Sequence, residues 1–207
     1  MNANDRQAAA NLQRLRQAGL TAVNVLASPG AGKTSLIKRL IGSMRASRRI
    51  AVIEGDVASS IDADAIAALG VPATQINTGG GCHLDAEMIA QALDKLDIQG
   101  PGVVFIENIG NLICPAQFAL GESLRLVVAS VPEGDDKPVK YPGVFTTADA
   151  VVLNKIDLLN HVEFRMDFFT QGLRAVNDHA PFFEVSCRDG LGIETLVDWL
   201  ANALNAI

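Results

Sequence analysis

The feature that most limits how this chain can fold is a glycine-rich loop between an apolar run and a helical pattern. Residues 27–34 read Ala-Ser-Pro-Gly-Ala-Gly-Lys-Thr; the apolar run 21–26 precedes them and a helical pattern begins at Ser35. A loop that ends in Gly-Lys-Thr between a buried strand and a helix is typical of phosphate binding. Its backbone N–H groups and the helix dipole favour the negative charge of phosphates. The alternative is a glycine-rich turn that holds no ligand.

Two side chains of this loop have specific predicted tasks. Lys33 is expected to reach the β- and γ-phosphates of a nucleotide, and the Thr34 hydroxyl to bind Mg²⁺. Position 27 is alanine where the full pattern has glycine, so Ala27 must avoid a positive φ. We expect this alanine to lower nucleotide affinity modestly without abolishing binding. The residues predicted to surround the phosphates are Pro29, Gly30, Ala31, Gly32, Lys33, Thr34 and Ser35.

Composition and element order favour a single α/β domain. The chain has 207 residues, of which 49% are hydrophobic and 5% aromatic, and such an aliphatic core suits a parallel sheet. Predicted strands alternate with predicted helices. The strands cover 21–26, 50–53, 73–77, 103–106, 124–131, 150–153 and 182–185, and the helices cover 4–17, 35–47, 62–69, 84–96, 162–175 and 192–204. We therefore expect a P-loop NTPase fold, a mostly parallel central sheet with helices on both faces, over residues 20–207. Residues 1–19 are expected to form an appended helix, and residues 132–142 a long polar loop.

Charge and hydropathy argue against nucleic-acid and membrane partners. The net charge is −6, which gives little electrostatic support to nucleic-acid binding. No apolar stretch is long enough to span a membrane, and the polar N-terminus has no signal-peptide core. We therefore expect a cytoplasmic protein, in which the three cysteines are free thiols or metal ligands rather than disulfides.

A four-residue motif at the end of a predicted strand indicates which base the nucleotide carries. Asn-Lys-Ile-Asp at 154–157 directly follows the run 150–153, and the carboxyl ends of parallel strands line the ligand crevice. The Asp157 carboxylate can accept hydrogen bonds from N1–H and the 2-amino group of guanine, which adenine lacks. Asn154 is expected to brace the loop and Lys155 to lie over the base. These residues favour GTP and GDP over adenine nucleotides.

A further loop is a candidate for the base site. Ser186 and Cys187 follow the predicted strand 182–185. A backbone N–H of this loop would be placed to donate to O6 of guanine. A plain turn explains the same residues equally well, so both interpretations stay open.

Carboxylates follow two other predicted strands. Glu107 follows the strand 103–106 and is expected to hold Mg²⁺ through a water, while the N–H of Gly110 senses the γ-phosphate. Asp56 follows the second strand and is a candidate for Mg²⁺ or for the attacking water. The alternative for Asp56 is an N-cap of the following segment. Together with Lys33, Asp56 and Glu107 are the predicted catalytic residues.

Cys82 and His83 are adjacent in a glycine-flanked loop, and Cys114 lies much further along the chain. Thiolate and imidazole suit Zn²⁺ or Ni²⁺ and are too soft for Mg²⁺. A helix predicted from Leu84 would favour the thiolate form of Cys82. From the residues alone, inert thiols and a solvent-exposed histidine stay the alternative. Three ligands leave a tetrahedral site incomplete, so water or a second subunit must supply the rest.

Four motifs together resemble the HypB family, the nickel-incorporation GTPases of [NiFe]-hydrogenase maturation. They are Thr-Gly-Gly-Gly-Cys-His-Leu-Asp at 78–85, Glu-Asn-Ile-Gly-Asn-Leu-Ile-Cys-Pro at 107–115, Glu-Gly-Asp-Asp-Lys-Pro-Val-Lys-Tyr-Pro at 133–142 and Asn-Lys-Ile-Asp at 154–157. The resemblance implies a SIMIBI-class GTPase that forms a homodimer depending on nucleotide and metal. It implies a Ni²⁺ or Zn²⁺ site of Cys82, His83 and Cys114 at the dimer interface. The implied partners are other hydrogenase maturation proteins or the hydrogenase large subunit.

Three departures from the family pattern change what we expect. Besides Ala27, Gly80 stands where many relatives have lysine, and the N-terminal region has no Cys-rich or His-rich tract. A separate N-terminal nickel site is therefore not expected, which leaves the site beside the nucleotide. We expect hydrolysis of GTP to relax the loops of Asp56 and Glu107 and to release the metal.

Three other functions compete with this one. A urease-type nickel GTPase would be expected to carry Cys-Pro-His, whereas Cys82 and His83 are adjacent. A P-loop small-molecule kinase predicts adenine preference, against which residues 154–157 argue. A non-catalytic nucleotide switch would require that Ala27 has damaged turnover.

Overall fold

Seven parallel strands form the central sheet of this computed structural model, which describes residues 2–56, 65–98 and 100–207. The strands are β1 (Leu20–Ala27), β2 (Arg49–Asp56), β3 (Ala73–Asn77), β4 (Gly102–Glu107), β5 (Leu124–Ser130), β6 (Ala150–Asn154) and β7 (Phe182–Glu184). Their order across the sheet is β3-β2-β4-β1-β5-β6-β7, and every neighbouring pair is parallel. The predicted parallel α/β sheet is confirmed.

Helices cover both faces of this sheet. They are α1 (Ala3–Gln17), α2 (Lys33–Met44), α3 (Ala86–Lys95), α4 (Lys137–Lys140), α5 (Pro142–Thr146), α6 (Met166–Val176) and α7 (Ile193–Asn205), with 3₁₀ turns at Pro115–Gln117, Val131–Glu133 and Ile156–Leu158. Val23 and Val25 of β1 pack with α2 and α7 on one face. Leu20 and Ala22 pack with α1 and α3 on the other face, which α5 and α6 cover further along the sheet. Burial on both faces explains the continuous apolar runs in the sequence.

The sheet brings the predicted functional side chains to one edge. Asp56, Glu107 and Asn154 are the last residues of β2, β4 and β6. Parallel strands end at the same edge, so these side chains lie around the end of β1, from which the glycine-rich loop leaves. The two carboxylates therefore belong to the strands themselves rather than to the loops after them.

Several predicted elements have different bounds in the structure. The prediction of a polar loop at 132–142 is wrong, because a 3₁₀ turn and two short helices occupy these residues. Lys140 Nζ lies 2.5 Å from the Asp136 carboxylate one turn earlier, and Pro138 is buried. The helix predicted from residue 162 begins only at Met166. The helix predicted at 62–69 begins outside the described residues. Within the described part of that range, residues 65–67 are helical.

Among the described residues, no helix combines the length and apolar character that a membrane crossing requires.

Candidate functional site

The glycine-rich loop between β1 and α2 places a helix N-terminus at the mouth of a cleft. Gly30 and Gly32 have φ of +76° and +100°, a backbone region that side chains with a Cβ rarely adopt. Gly32 is the N-cap of α2 and supplies no side-chain cap, so the helix N-terminus suits an anion. Ala27 ends β1 in register with Val128, and this extended conformation agrees with the requirement that position 27 avoid a positive φ.

Two adjoining cavities at this edge share Gly32, Ser35 and Lys155. The larger one, about 570 Å³, is lined by the glycine-rich loop, the ends of β2 and β4, and residues 108–110. The smaller one, about 400 Å³, is lined by Asn154, Asp157 and Cys187, among others. A separate cavity of about 1020 Å³ lies at the opposite edge of the sheet and contains none of the predicted site residues. The joined pair suits a ligand with a phosphate part and a base part.

Three oxygen-bearing side chains meet in the larger cavity. The Thr34 hydroxyl donates a hydrogen bond of 2.7 Å to Glu107 Oε1, and Asp56 lines the same space. Hydroxyl and carboxylate oxygens are ligands that Mg²⁺ prefers, so this donor set fits the predicted magnesium site. The alternative for Asp56, an N-cap of the following segment, concerns residues outside the described part of the chain.

Glu54 is a cavity residue that the sequence interpretation missed. It is 2% exposed, lines the larger cavity and pairs in register with Glu107 across β2 and β4. The sequence contained a signal for Glu54, because residues two apart in a strand share a face of the sheet. Glu54 lies two residues before Asp56 and therefore shares its face. A third carboxyl group therefore lies beside the predicted magnesium ligands.

Asn154 joins the glycine-rich loop to the loop after β7. Its Nδ2 donates to the carbonyl of Ala31 at 2.9 Å, and its Oδ1 accepts from the N–H groups of Lys155 and Cys187 at 2.8 and 3.1 Å. The Lys155 ammonium donates to the Gly30 carbonyl at 2.6 Å. The Cys187 N–H is thus engaged by Asn154 in this conformation, whereas the sequence suggested it as a donor to the base.

Asp157 is held in the smaller cavity by a serine hydroxyl. Ser186 Oγ donates to Asp157 Oδ1 at 2.8 Å, so Ser186 orients the carboxylate. Arg39 donates to the carbonyls of Cys187 and Arg188, both at 2.7 Å, and fixes the backbone of this loop. Burial raises the pKa of the Cys187 thiol to about 11, so this thiol is neutral at physiological pH. Hydrogen bonds from Arg39 and Ser186 therefore hold this loop in place.

Cys82 and His83 come together with Cys114, which lies on a different loop. One ligand atom from each lies within 4.8 Å of the others, and Cys82 Sγ is 3.6 Å from His83 Nδ1. The His83 ring stacks on Phe118, with centroids 3.9 Å apart and an angle of 18°. A pair of thiols with an imidazole at this spacing suits one soft or borderline metal ion.

The helix that was predicted to favour the thiolate form of Cys82 does not begin directly after His83. Helix α3 begins at Ala86, later than predicted, and its N-cap is the carboxylate of Asp85, which accepts from the Met88 N–H. The hydrogen bond with Cys114 raises the pKa of the Cys82 thiol, and desolvation raises it further. Because metal ions bind the deprotonated thiol, binding here releases protons.

The metal-ligand cluster is joined to the nucleotide cleft by two asparagines that follow β4. Asn111 Nδ2 donates to the Cys82 carbonyl at 3.3 Å, and the Leu84 N–H donates to Asn108 Oδ1 at 3.5 Å. Asn108 is fully buried and directly follows Glu107. The segment after β4 therefore contacts the loop of Cys82 and also lines the larger cavity.

Known proteins resemble this chain in sequence and fold. The family model for "CobW/HypB/UreG, nucleotide-binding domain" matches residues 21–184. The hydrogenase maturation factor HypB of Azotobacter vinelandii is 48% identical over 197 residues, and the match spans 95% of this chain and 65% of that relative's length. The crystal structure of Helicobacter pylori HypB in complex with nickel has a TM-score of 0.94 and 36% identity, covering 99% of this chain and 96% of that one. HypB of Archaeoglobus fulgidus has a TM-score of 0.89 and 39% identity, with coverage of 97% and 98%.

These matches confirm the resemblance seen in the sequence motifs and the P-loop NTPase fold. The matched region 21–184 contains the glycine-rich loop, the loops of Cys82 and Cys114, and the Asn-Lys-Ile-Asp motif. The structural matches extend over nearly the whole of this chain. The chain therefore belongs to the HypB family, within the CobW/HypB/UreG nucleotide-binding proteins.

Proposed function

We propose that this chain is a SIMIBI-class GTPase that couples binding and slow hydrolysis of GTP to nickel delivery during maturation of [NiFe]-hydrogenase. The observation that carries this proposal is the cysteine–histidine–cysteine cluster hydrogen-bonded to the segment that leaves Glu107. Binding of a nucleotide with Mg²⁺ requires oxygen ligands and no thiols, whereas thiolate and imidazole are suitable ligands for nickel. Membership of the HypB family supports the same function.

In this proposal the two cavities bind GTP. Lys33 neutralises charge on the β- and γ-phosphates, and Asp157 accepts from N1–H and the 2-amino group of guanine. Thr34, Asp56 and Glu107 would hold Mg²⁺, which supplies positive charge against the phosphates. Asp56 is the proposed residue that orients the attacking water. Hydrolysis is expected to be slow because such GTPases usually need an activating partner.

Nickel is the cargo, and its site is proposed to be completed between two copies of the chain. Cys82, His83 and Cys114 supply three ligands, one fewer than a closed tetrahedral site. Cys82 is exposed, and Ile113, which precedes Cys114 in the chain, is 57% exposed. A second copy on this surface would cover Ile113 and supply further ligands. The dimer would thus depend on metal and nucleotide, with Zn²⁺ as an alternative ion and other maturation proteins or the hydrogenase large subunit as recipients.

Coupling between nucleotide and nickel rests on close contacts after β4. A Cβ at position 110 would lie 3.0 Å from the Pro29 backbone. The segment that contains Gly110 is therefore closely packed against the glycine-rich loop. The next residue, Asn111, holds the Cys82 carbonyl. If loss of the γ-phosphate displaces Gly110, the adjacent Asn111 moves with it. The backbone of Cys82, which Asn111 bonds, would then move as well. Nickel and nucleotide must then change each other's affinity by the same factor.

The proposal is tested by nickel binding to histidine variants, measured by titration and by metal analysis after desalting. His83→Ala should lower nickel affinity at least about tenfold, because it removes a ligand, and leave GDP affinity unchanged. His179→Ala is the matched control, since His179 lies outside the cluster with its side chain 81% exposed. Equal nickel binding by both variants and the unmodified chain would contradict the proposal. Preference for ATP over GTP would favour the kinase alternative.

A further inference from the structure

Helix α1 contacts the residue that follows one predicted metal-ligand loop, and it contacts the other such loop directly. The first ligand loop, residues 78–85, runs from β3 to α3 and carries Cys82 and His83; the second ligand loop, residues 108–123, runs from β4 to β5 and carries Cys114. Two asparagines on α1 bond Ala86, the residue after the first loop, and Ala119 and Leu120 in the second loop. We infer that Asn4 and Asn11 are positioning residues for the nickel site, an inference that rests on the proposed function.

Both backbone groups of Ala86, the first residue after the first ligand loop, are bonded by these side chains. The Ala86 N–H donates to Asn4 Oδ1 at 2.9 Å, and its carbonyl accepts from Asn11 Nδ2 at 2.7 Å. Asn4 therefore supplies an acceptor at the N-terminus of α3, where helix N–H groups lack partners within the helix. His83 lies three residues before this anchored point.

The same two amides also bond the second ligand loop. Asn4 Nδ2 donates to the Ala119 carbonyl and Asn11 Nδ2 to the Leu120 carbonyl, both at 2.9 Å. Each asparagine thus bridges the second ligand loop and Ala86, the residue that follows the first. Asn11 is 1% exposed, and its Oδ1 accepts from Gln7 at 3.1 Å, which fixes the orientation of the amide. Removal of a buried amide leaves carbonyls without their donors, which favours displacement of the loops.

Helix α1 also packs directly on the second ligand loop. A Cβ built on Gly121 would lie 2.6 Å from Asn11 Cβ and 2.8 Å from the Ala8 carbonyl. Upstream of this contact, Phe118 stacks on His83, and the 3₁₀ turn Pro115–Gln117 connects Phe118 to Cys114. The spacing between the ligands of the two loops is therefore set in part by the helix that spans them.

Nickel titration of asparagine variants tests this inference, with thiolate-to-nickel charge-transfer absorption as the readout. Asn11→Ala and Asn4→Ala should each lower nickel affinity about 10- to 100-fold, as loss of residues that orient metal ligands typically does. GDP affinity should stay unchanged, because neither asparagine touches the nucleotide cavities. Asn4 is only half-buried, so Asn4→Ala keeps the test available if Asn11→Ala fails to fold.

Arg14→Ala is the matched control on the same helix. Arg14 bonds the Ala90 carbonyl and Asp94 on α3, so its loss weakens the α1–α3 contact away from the ligand loops. Nickel affinity of Arg14→Ala should equal that of the unmodified chain. Equal affinity in the asparagine variants, or the same loss in Arg14→Ala, would overturn the inference while the proposed function stands. Absence of nickel binding by the unmodified chain would overturn the proposed function and this inference with it.

Discussion

At the scale of single residues, the nucleotide cleft depends on a few backbone carbonyls and one carboxylate. Asn154 and Lys155 both donate to carbonyls of the glycine-rich loop, and Asp157 lies in the adjoining cavity, oriented by Ser186. The proposed contact of Asp157 with guanine follows from hydrogen-bond chemistry, because guanine and adenine differ in the groups that meet a carboxylate. The bracing by Lys155 could not be predicted in detail, because it depends on a φ of +62° that a residue other than glycine rarely adopts.

Asp157→Asn should change which base is preferred. The amide keeps an oxygen that can accept from Ser186 but loses the charge that pairs with guanine. GTP affinity should fall about 10- to 100-fold, the equivalent of about 1.5–3 kcal/mol for a charged hydrogen bond. Xanthosine nucleotides, which carry an oxygen acceptor in place of the 2-amino group, should bind the variant better than GTP. Fluorescence titration with both nucleotides checks this, and unchanged preference for GTP would rule out base contact by Asp157.

Alanine substitution at the two glycines of the phosphate loop should have unequal effects. Both positions have positive φ, so each alanine costs about 1–2 kcal/mol of backbone strain. At Gly32 the new Cβ would also lie 2.4 Å from Asn154 Nδ2, whereas at Gly30 nothing lies within 4 Å. Gly32→Ala should therefore lose more GTP affinity and more thermal stability than Gly30→Ala. Equal losses in a paired GTP titration and thermal melt would contradict this account of the Asn154 contact.

At the scale of elements, the strand ends were predictable and the loop contacts were not. Continuous apolar runs followed by Asp56, Glu107 and Asn154 indicate parallel strands whose ends meet at one edge. The proximity of Cys114 to Cys82 depends on how two loops fold, which no local pattern encodes. The polar loop predicted at 132–142 failed for a related reason, because tertiary packing buries Pro138 and stabilises helices too short to show a period.

The segment after β4 should couple structural changes in the nucleotide cavity to changes at the proposed nickel site. The substitution Gly110→Ala tests this coupling. The added methyl would approach the Pro29 backbone to 3.0 Å, so either that segment or the glycine-rich loop must shift. We expect the ratio of nickel affinities in the GTP-analogue and GDP forms to move toward one. Gly143→Ala is the control, because a Cβ there meets nothing within 4 Å. An unchanged ratio in Gly110→Ala would show that this contact does not carry the coupling.

At the scale of the whole molecule, one sheet places two chemically different sites at its carboxyl edge. Oxygen-bearing side chains line the larger cavity, whereas the two ligand loops carry two thiols and an imidazole. In the proposed function, these preferences would keep Mg²⁺ and Ni²⁺ apart. The sequence predicted an appended helix and a nucleotide-binding domain, but it did not predict the hydrogen bonds by which Asn4 and Asn11 join the two. Asparagines inside an amphipathic helix carry no signal of a distant partner, so this contact emerged only from the tertiary structure.

The central claim is that nucleotide and nickel are thermodynamically coupled in this chain. The most direct measurement is a nickel titration of the GDP form and of the form with non-hydrolysable GTP, with the mass in solution followed in parallel. We predict different nickel affinities in the two forms, by a factor of about 5 to 150, and a larger dimer fraction with nickel and the GTP analogue. Equal affinities together with equal masses in both forms would contradict the account.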